Sequence, residues 1–383
     1  MAELGLTKAV DSNGKIGAIQ DLRGVAVMLV LLVHAINVVD LRVAHGVDAQ
    51  RGFLSGFLSV NEFGACGVDL FFVISGFVMS LLLDRSAGEP RLVFMRKRLI
   101  RIAPLFWLAG LLFTILTWAV GRHIPIGLLV ANVTILPPSP FHYDWPALVV
   151  GWSLGFELVF YALVTIALGR AEARKFLALL VATLALFAIV HAPRPGLLAV
   201  IANPIQLEFL CGIGVYALWS AVKESGKHAV LATIALAVGA GALLAQAAYG
   251  FPFVTDHLPI IAAKTSLARV VYWGLPWALV VLGYALLEPR LAARLSMWRR
   301  SVRLTGEASY ALYLVHMSPL LLAETLLPAN AVQPDLLIVF LLAISWTTGV
   351  AAHIWVERPL LAALSRASVR RSPRAAPVIS PTS

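Results

Sequence analysis

Two ionisable residues inside an apolar stretch are the first feature of this sequence that suggests chemistry. Arg23 and His34 lie in DLRGVAVMLVLLVHA, which runs from residue 21 to 35. Ionisable side chains in membrane-spanning helices are costly to insert and mark functional sites. Eleven residues make three helical turns, so both side chains lie on one face, about 16 Å apart along the axis. The pair suits a long ligand with an anionic part at Arg23 and reacting atoms at His34. A snorkelling arginine and a histidine bonded to a neighbouring helix are the structural alternative.

The next apolar stretch, GVDLFFVISGFVMS, carries one carboxylate, Asp69, and one hydroxyl, Ser75. Gly67 and Gly76 in the same stretch permit close approach of a second helix. Asp69 is expected to pair either with Arg23 or with the basic run that follows this stretch. A structural ion pair and a catalytic role are equally compatible with its position.

The basic run MRKRLIRIAP begins the third apolar stretch. Arg98 and Arg101 are three residues apart and therefore neighbours on one helix face. Two guanidinium groups on one face make a good phosphate clamp, although anchoring to lipid headgroups is the commoner use of such runs. Pro104 follows within the helix and is expected to kink it.

Three further stretches carry polar groups at helical spacing. In WSLGFELVFYAL, Ser153, Glu157 and Tyr161 are four residues apart and form one stripe, with Glu157 in apolar surroundings that suit proton transfer. The other two stretches are LTGEASYALYLVHMSP, with Tyr310, Tyr313 and His316, and AAHIWVERPL, with His353 and Glu357. A buried Tyr or His that satisfies only its own hydrogen bonds is the alternative for each. Asn203, Gln206 and Glu208 lie near a proline break, of the type that can line cavities.

The composition identifies the class of protein that must position these groups. Of 383 residues, 60% are hydrophobic and 13% charged, with a mean hydropathy of +0.86. These values indicate an all-α, polytopic integral membrane protein. The net charge of +10 is distributed in short runs between apolar stretches, which encodes topology and argues against nucleic-acid binding. Cys66 and Cys211 show no metal-type spacing and are expected in the core. No cleaved signal peptide is indicated.

Ten spans are predicted, at about 18–39, 60–83, 99–120, 146–168, 176–192, 198–221, 229–248, 270–287, 309–327 and 336–356. An eleventh apolar piece at 124–138 is either re-entrant or a full crossing. If it does not cross, the cytoplasmic segments hold 23 of the 30 Lys and Arg residues, which favours ten spans with both termini in the cytoplasm. The predicted organisation is a tail at 1–17, a membrane domain at 18–362 and a disordered basic tail at 363–383.

In this order, six stretches resemble the membrane-bound acyltransferase 3 family. They are LRGVAVMLVLLVHA, GVDLFFVISGFVMS, RLIRIAP, WSLGFELVFYAL, LTGEASYALYLVH and VERPL, and together they extend from residue 21 to 360. The resemblance implies transfer of an acyl group, most often acetyl, from cytoplasmic acyl-CoA to a carbohydrate hydroxyl. Family acceptors include exopolysaccharides, lipopolysaccharide O-antigens, Nod factors, peptidoglycan and some macrolides. The chain resembles the stand-alone members that decorate bacterial polysaccharides at the inner membrane.

The resemblance implies an essential pair, His34 and Arg23, and donor-site roles for Arg98 and Arg101; the general-base role and the roles of the other residues are our own hypotheses. His34 would act as general base, and Ser75 would belong to the donor site. Glu157 or Asp69 would orient His34 or relay its proton, and Tyr310, Tyr313 or His316 would donate to the thioester oxygen. Ser153, Tyr161 and Glu357 would support the site. Acyl-CoA is expected as a substrate, with no permanently bound cofactor and no metal.

The expected partners are a carbohydrate or lipid-linked glycan acceptor, membrane lipid, and proteins of glycan assembly or export. A proton-coupled transporter or flippase is the main rival hypothesis, because intramembrane Arg, His, Asp and Glu also mark ion pathways. A transporter would be expected to show an internal repeat of spans, which the sequence lacks. A structural partner in a polysaccharide export complex is the third hypothesis, and it would tolerate loss of His34.

Overall fold

The computed structural model describes residues 16–56, 60–85, 88–137, 146–191, 196–225, 228–251, 257–294 and 296–370, which contain helices and no β-strand. The α-helices are α1 Gly17–Ala44, α2 Phe53–Gly56, α3 Val60–Phe63, α4 Gly67–Arg85, α5 Arg91–Ala119, α6 Ile126–Thr134, α7 Trp152–Ala167, α8 Ala173–His191, α9 Leu197–Ile201, α10 Gln206–Val222, α11 His228–Tyr249, α12 His257–Ile261, α13 Ser266–Arg269, α14 Leu275–Arg294, α15 Ser296–Glu307, α16 Ser309–Val315, α17 Met317–Leu326, α18 Pro334–Ala352 and α19 Arg358–Arg370. Short 3₁₀ helices precede α4 and α7, and π-helical turns join α13 to α14 and α18 to α19.

Within the described residues, nine helical segments are long and apolar enough to cross a membrane. They are Gly17–Ala44, Gly64–Arg85, Arg91–Ala119, Val149–Ala167, Ala173–His191, Leu197–Val222, His228–Tyr249, Ser266–Glu288 and Pro334–Arg366. Each overlaps one of the predicted spans, because hydropathy over about 20 residues reports directly on the need to satisfy the backbone in lipid. The all-α, polytopic fold is therefore confirmed.

The ninth predicted span, at 309–327, is present as two helices rather than one. α16 ends at Val315 and α17 begins at Met317, so the crossing is interrupted at His316. We call α16 and α17 together the broken crossing. The apolar piece at 124–138 contains only α6, a helix of nine residues. Nine residues rise about 14 Å, less than half the hydrocarbon thickness, so α6 is too short to cross.

The last helix enters the segment that is predicted as a tail. α19 runs from Arg358 to Arg370, so residues 363–370 are helical. The rest of the predicted tail, 371–383, and most of the N-terminal tail, 1–15, lie outside the described residues.

The two glycines of the second span allow the close helix approach that the sequence predicts. A Cβ at Gly67 would overlap the carbonyl oxygen of Ala26 in α1, and a Cβ at Gly76 would overlap that of Phe209 in α10. Small residues of this kind let membrane helices come together backbone to backbone. As a result α4 is held between α1 and α10, with its polar residues enclosed by the bundle.

A buried arginine fastens the far end of α1 to the broken crossing. Arg42, whose side chain is 2% exposed, donates to the carbonyl oxygens of Ala323, Glu324, Leu327 and Pro328 at the end of α17. A cation placed there satisfies the orphan carbonyls of a helix terminus. Its Nε lies 2.6 Å from the Asp48 carboxylate, and this hydrogen bond holds the pKa of Asp48 below its usual 3.8.

We expect Arg42→Met to lower the free energy of unfolding by about 3 kcal/mol or more, because Asp48 and four carbonyls lose a buried cation. The control is Arg51→Met, which removes an ion pair to Asp40 whose arginine is 58% exposed and contributes less than about 1 kcal/mol. Thermal unfolding in detergent measures both variants. Equal melting temperatures for the two variants would show that the contacts of Arg42 do not stabilise the fold more than the exposed ion pair of Arg51 does.

Candidate active site

A cavity of about 290 Å³ lies between α1, α4, α5, α7 and α16. Nine of the thirteen predicted site residues line it, and His34, Asp69, His316 and Glu357 do not. Three polar residues that the sequence analysis did not single out also line the cavity, namely Gln20, Arg85 and Ser309. Ser309 precedes Tyr310 in LTGEASYALYLVHMSP, but a small serine side chain did not by itself indicate a functional site.

Four arginines give the cavity its charge. Of the residues that the structure describes, four arginines and one carboxylate line it: Arg23, Arg85, Arg98, Arg101 and Glu157. Arg98 and Arg101 come from α5, where their spacing places them on one face as predicted. The excess of positive charge in a partly enclosed space suits an anionic ligand with several phosphate groups.

Arg23 is held by the broken crossing. Its Nε donates to the Ser309 hydroxyl at 3.1 Å, just where α16 begins. The carboxylates of Glu157 and Glu357 are both close enough to act electrostatically on the Arg23 guanidinium. Arg23 therefore joins α1 to the broken crossing at one end of the cavity, as Arg42 does at the opposite end of α1.

The predicted stripe on α7 faces the cavity over its whole length. Glu157 accepts hydrogen bonds from Tyr161 and, at 3.4 Å, from Ser75 of α4. Ser153 lies 2.7 Å from the Tyr313 hydroxyl. The four-residue spacing thus predicts correctly that these three side chains share a surface, because successive helical turns repeat the same direction.

The two lining tyrosines of α16 donate to backbone carbonyls. The Tyr310 hydroxyl donates to Ile102 of α5 at 2.6 Å, and the Tyr313 hydroxyl to Val150 at 2.9 Å. The ring of Phe71 meets that of Tyr313 edge-on, with centroids 6.0 Å apart. Donation from either tyrosine to a ligand oxygen therefore requires the ligand to displace a carbonyl partner.

His34 lies beside the cavity rather than in its lining. Its Nδ1 is 2.8 Å from the Val30 carbonyl oxygen and 3.4 Å from Nε2 of His316. The two imidazole rings are 5.1 Å apart, and the His316 ring is 6.2 Å from Tyr313. Arg23 and His34 do lie on the same face of α1, since both are turned toward the broken crossing, but Tyr313 stands between the cavity and the histidines.

Asp69 pairs with neither of the partners that the sequence predicts. Its carboxylate accepts from Nε and Nη2 of Arg269, the first at 3.0 Å, and both side chains are at most 1% exposed. The prediction of Arg23 or the basic run is wrong because Arg269 follows Asp69 by 200 residues, and pairing at that separation leaves no local pattern. Asp69 is thus part of a buried ion pair outside the cavity.

Glu208 completes a buried cluster around this ion pair. Its carboxyl is 0% exposed, and Asp69 and Arg269 act on it electrostatically. Glu208 lies beside Asp69, with a side-chain interaction between the two carboxyl groups. Glu208 accordingly belongs to a structural cluster with Asp69 and not to the cavity lining, although a proline break lies nearby.

Glu357 pairs with His353, which lies four residues earlier. The two residues bound the π-helical turn between α18 and α19, and His353 Nδ1 lies 2.6 Å from the Glu357 carboxylate. Both are buried. Glu357 is placed behind Arg23, where its charge offsets the guanidinium without reaching the cavity surface.

Comparison with known proteins gives one family and one curated relative. The model of the family described as "Acyltransferase domain" matches residues 16–356. The relative is a protein of Rhizobium meliloti (strain 1021), the exopolysaccharide production protein ExoZ, which is 31% identical over 313 residues. These residues are 78% of this chain and 90% of the relative. No solved structure gives a significant match.

We expect the two carboxyl groups of the buried cluster to respond differently to amide substitution. Asp69→Asn leaves the Arg269 guanidinium uncompensated and should destabilise the fold by about 3 kcal/mol or more. Glu208→Gln should be nearly neutral, because one guanidinium balances one carboxylate and a neutral amide replaces a carboxyl that has no cation of its own. Melting temperatures in detergent test this, and a larger loss for Glu208→Gln would contradict the assignment.

Proposed function

We propose, starting from the fact that this chain belongs to the acyltransferase family, that it moves an acyl group from cytoplasmic acyl-CoA to a carbohydrate hydroxyl. The observation that carries the proposal is the cavity with four arginines and one lining carboxylate. Acyl-CoA has phosphates at one end and a neutral tether that leads to a thioester. The arginines match the phosphates, and the Ser153 and Tyr313 hydroxyls, bonded to each other beside His316, match the thioester end.

The arginines supply the donor site in this proposal. Arg98 and Arg101 bind the phosphates from α5, and Arg23 contributes a third cation. Ser75, bonded to Glu157, lies along the tether. Acyl-CoA is a substrate here, and the tether leads the thioester toward Tyr313 and Ser153, next to the histidines.

His34 is the proposed general base. The Val30 carbonyl can only accept a hydrogen bond, so Nδ1 of His34 carries a hydrogen and Nε2 holds the lone pair of the neutral ring. Nε2 takes the proton of the acceptor hydroxyl as its oxygen bonds to the thioester carbon. The tetrahedral intermediate then breaks its C–S bond, and the coenzyme thiolate takes the proton back from His34, which restores the neutral imidazole.

The proposed acceptor is a unit of an exported polysaccharide, and acetyl is the proposed acyl group. The relative that matches most of this chain is named for exopolysaccharide production, and a multi-pass membrane protein is suited to act on glycans handled at the bacterial inner membrane. Glycan assembly or export proteins are the expected partners.

The test of the proposed function compares glycans from cells with and without the gene. Mass spectrometry of envelope and secreted glycans should show the loss of an acetyl mass from the modified sugars when the gene is deleted. Unchanged glycan masses combined with altered glycan export would favour the transporter or flippase hypothesis instead.

We expect His34→Ala to reduce kcat by at least about 100-fold, since general-base catalysis typically contributes 10²–10⁴-fold. Release of free thiol from acetyl-CoA is the readout, with deacetylated polysaccharide from the same cells as acceptor. Acetyl-CoA binding should be retained, because His34 is not in the cavity lining. Full activity of the variant would end the general-base assignment.

We expect Arg98→Gln to raise KM for acetyl-CoA by about 10-fold or more, because a charge-assisted phosphate contact contributes about 1.5–3 kcal/mol. Arg96→Gln is the matched control, since Arg96 lies in the same basic run, is exposed and does not line the cavity. A steady-state titration of acetyl-CoA measures both variants. Similar KM values for the two would place the phosphates elsewhere.

A further inference from the structure

His316 occupies the interruption of the broken crossing. His316 joins α16 to α17, and it is 0% exposed. The imidazole is turned toward His34 of α1, with the rings 5.1 Å apart and 54° between their planes. Because this buried imidazole contacts a second imidazole, its hydrogen bonds determine which of its nitrogens donates and which accepts.

The hydrogen bonds fix which nitrogen of His316 carries the hydrogen. Nδ1 lies 3.0 Å from the carbonyl oxygen of Leu312, which can only accept. Nδ1 is therefore the donor, and Nε2 of the neutral ring holds a lone pair. That lone pair faces Nδ1 of His34, whose hydrogen already points toward Val30. The Nδ1–H of His34 is thus shared between the Val30 carbonyl and Nε2 of His316.

We infer that His316 is a positioning residue. The Val30 carbonyl fixes the tautomer of His34 with Nε2 as the base, and His316 orients the ring and stabilises its charged form through Nδ1–H. This inference rests on the proposed function of His34. His316 performs the task that a carboxylate performs in many acid–base sites, since it accepts from the nitrogen opposite the reacting one. A neutral acceptor introduces no further charge into the apolar bundle.

The carboxylates that the sequence offers for this task have other partners. Asp69 is bonded to Arg269, and Glu157 accepts from Tyr161 and Ser75. His316 is the described residue whose ring nitrogen meets Nδ1 of His34. The order along both helices supports the match, because Arg23–Ser309, His34–His316 and Arg42–Ala323 occur in the same sequence along α1 and the broken crossing.

The contact becomes stronger as the reaction proceeds. When Nε2 of His34 takes a proton, the ring becomes a cation and its Nδ1–H becomes a better donor. The 3.4 Å separation is long for a neutral pair, and catalytic hydrogen bonds of this kind tighten in the transition state. Differential stabilisation of the charged His34 is what lowers the barrier.

Two amide substitutions of His316 separate positioning from a structural role. The amide of Gln stands at the ε position, where it can accept from His34, whereas that of Asn stands at the δ position, where it can only replace the bond to Leu312. We expect His316→Gln to keep kcat within about 10-fold and His316→Asn to lose about 100-fold, the lower end of general-base contributions. KM for acetyl-CoA should change little in both, since the cavity lining is intact.

If His316 had only a structural role, His316→Asn would keep a higher kcat than His316→Gln, because the Asn amide retains the bond to the Leu312 carbonyl and the Gln amide does not. Equal kcat values, or a higher value for Asn, overturn the inference. Rates are normalised to protein that binds acetyl-CoA in titration calorimetry, so a partly folded variant still reports a rate per competent molecule.

A double variant shows whether the two histidines act as a unit. Adding His316→Asn to His34→Ala should cause no further loss of kcat, since a positioning residue has nothing left to position. A further loss would show that His316 acts independently and would overturn the inference. An active His34→Ala enzyme would instead refute the general base, and so the proposed mechanism, before His316 is considered.

Discussion

Polar contacts at three depths join the first membrane-spanning helix to the broken crossing, and the site depends on them. Arg23 bonds Ser309 at one end, His34 meets His316 in the middle, and Arg42 caps α17 at the other. In an apolar bundle, helices have little hydrophobic reason to choose one register over another. Unsatisfied polar groups are costly there, so these contacts select the register. The two helices run in parallel, which is why the three contacts occur in the same order on both.

The cavity follows from this arrangement. α1 and α16 form one wall, and α4, α5 and α7 close the rest, with α4 drawn in by its glycines. The guanidinium groups come from three different helices, so none of them alone specifies an anion site. Hydroxyl groups of α7 and α16 meet at the end that adjoins the histidines. A lining that carries several arginines and, beside His316, a bonded pair of hydroxyls suits a long substrate with phosphate groups better than a small ion.

Much of this architecture could be predicted from the sequence, because hydropathy and helical spacing are local signals. The spans, the stripe on α7 and the common face of Arg23 and His34 all follow from them. The partner of Asp69 could not be predicted, since Arg269 was visible only as one charge among many outside the spans. The interruption at His316 does have a local signal, because Pro319 has no N–H to bond the carbonyl of Val315, where α16 ends. That Tyr313 separates His34 from the cavity depends on how three helices pack, which spacing does not encode.

The Asp69–Arg269 pair also constrains how the protein is built. The ribosome delivers Asp69 about 200 residues before its partner, so the second span enters the bilayer with a carboxyl group that has no cation to meet. Burying such a group alone is unfavourable by a few kcal/mol. Until the eighth span is inserted, Asp69 has no Arg269 guanidinium to bond. The Asp69–Arg269 ion pair can form only after the eighth span has been inserted, so it is a late step in the assembly of the helical bundle.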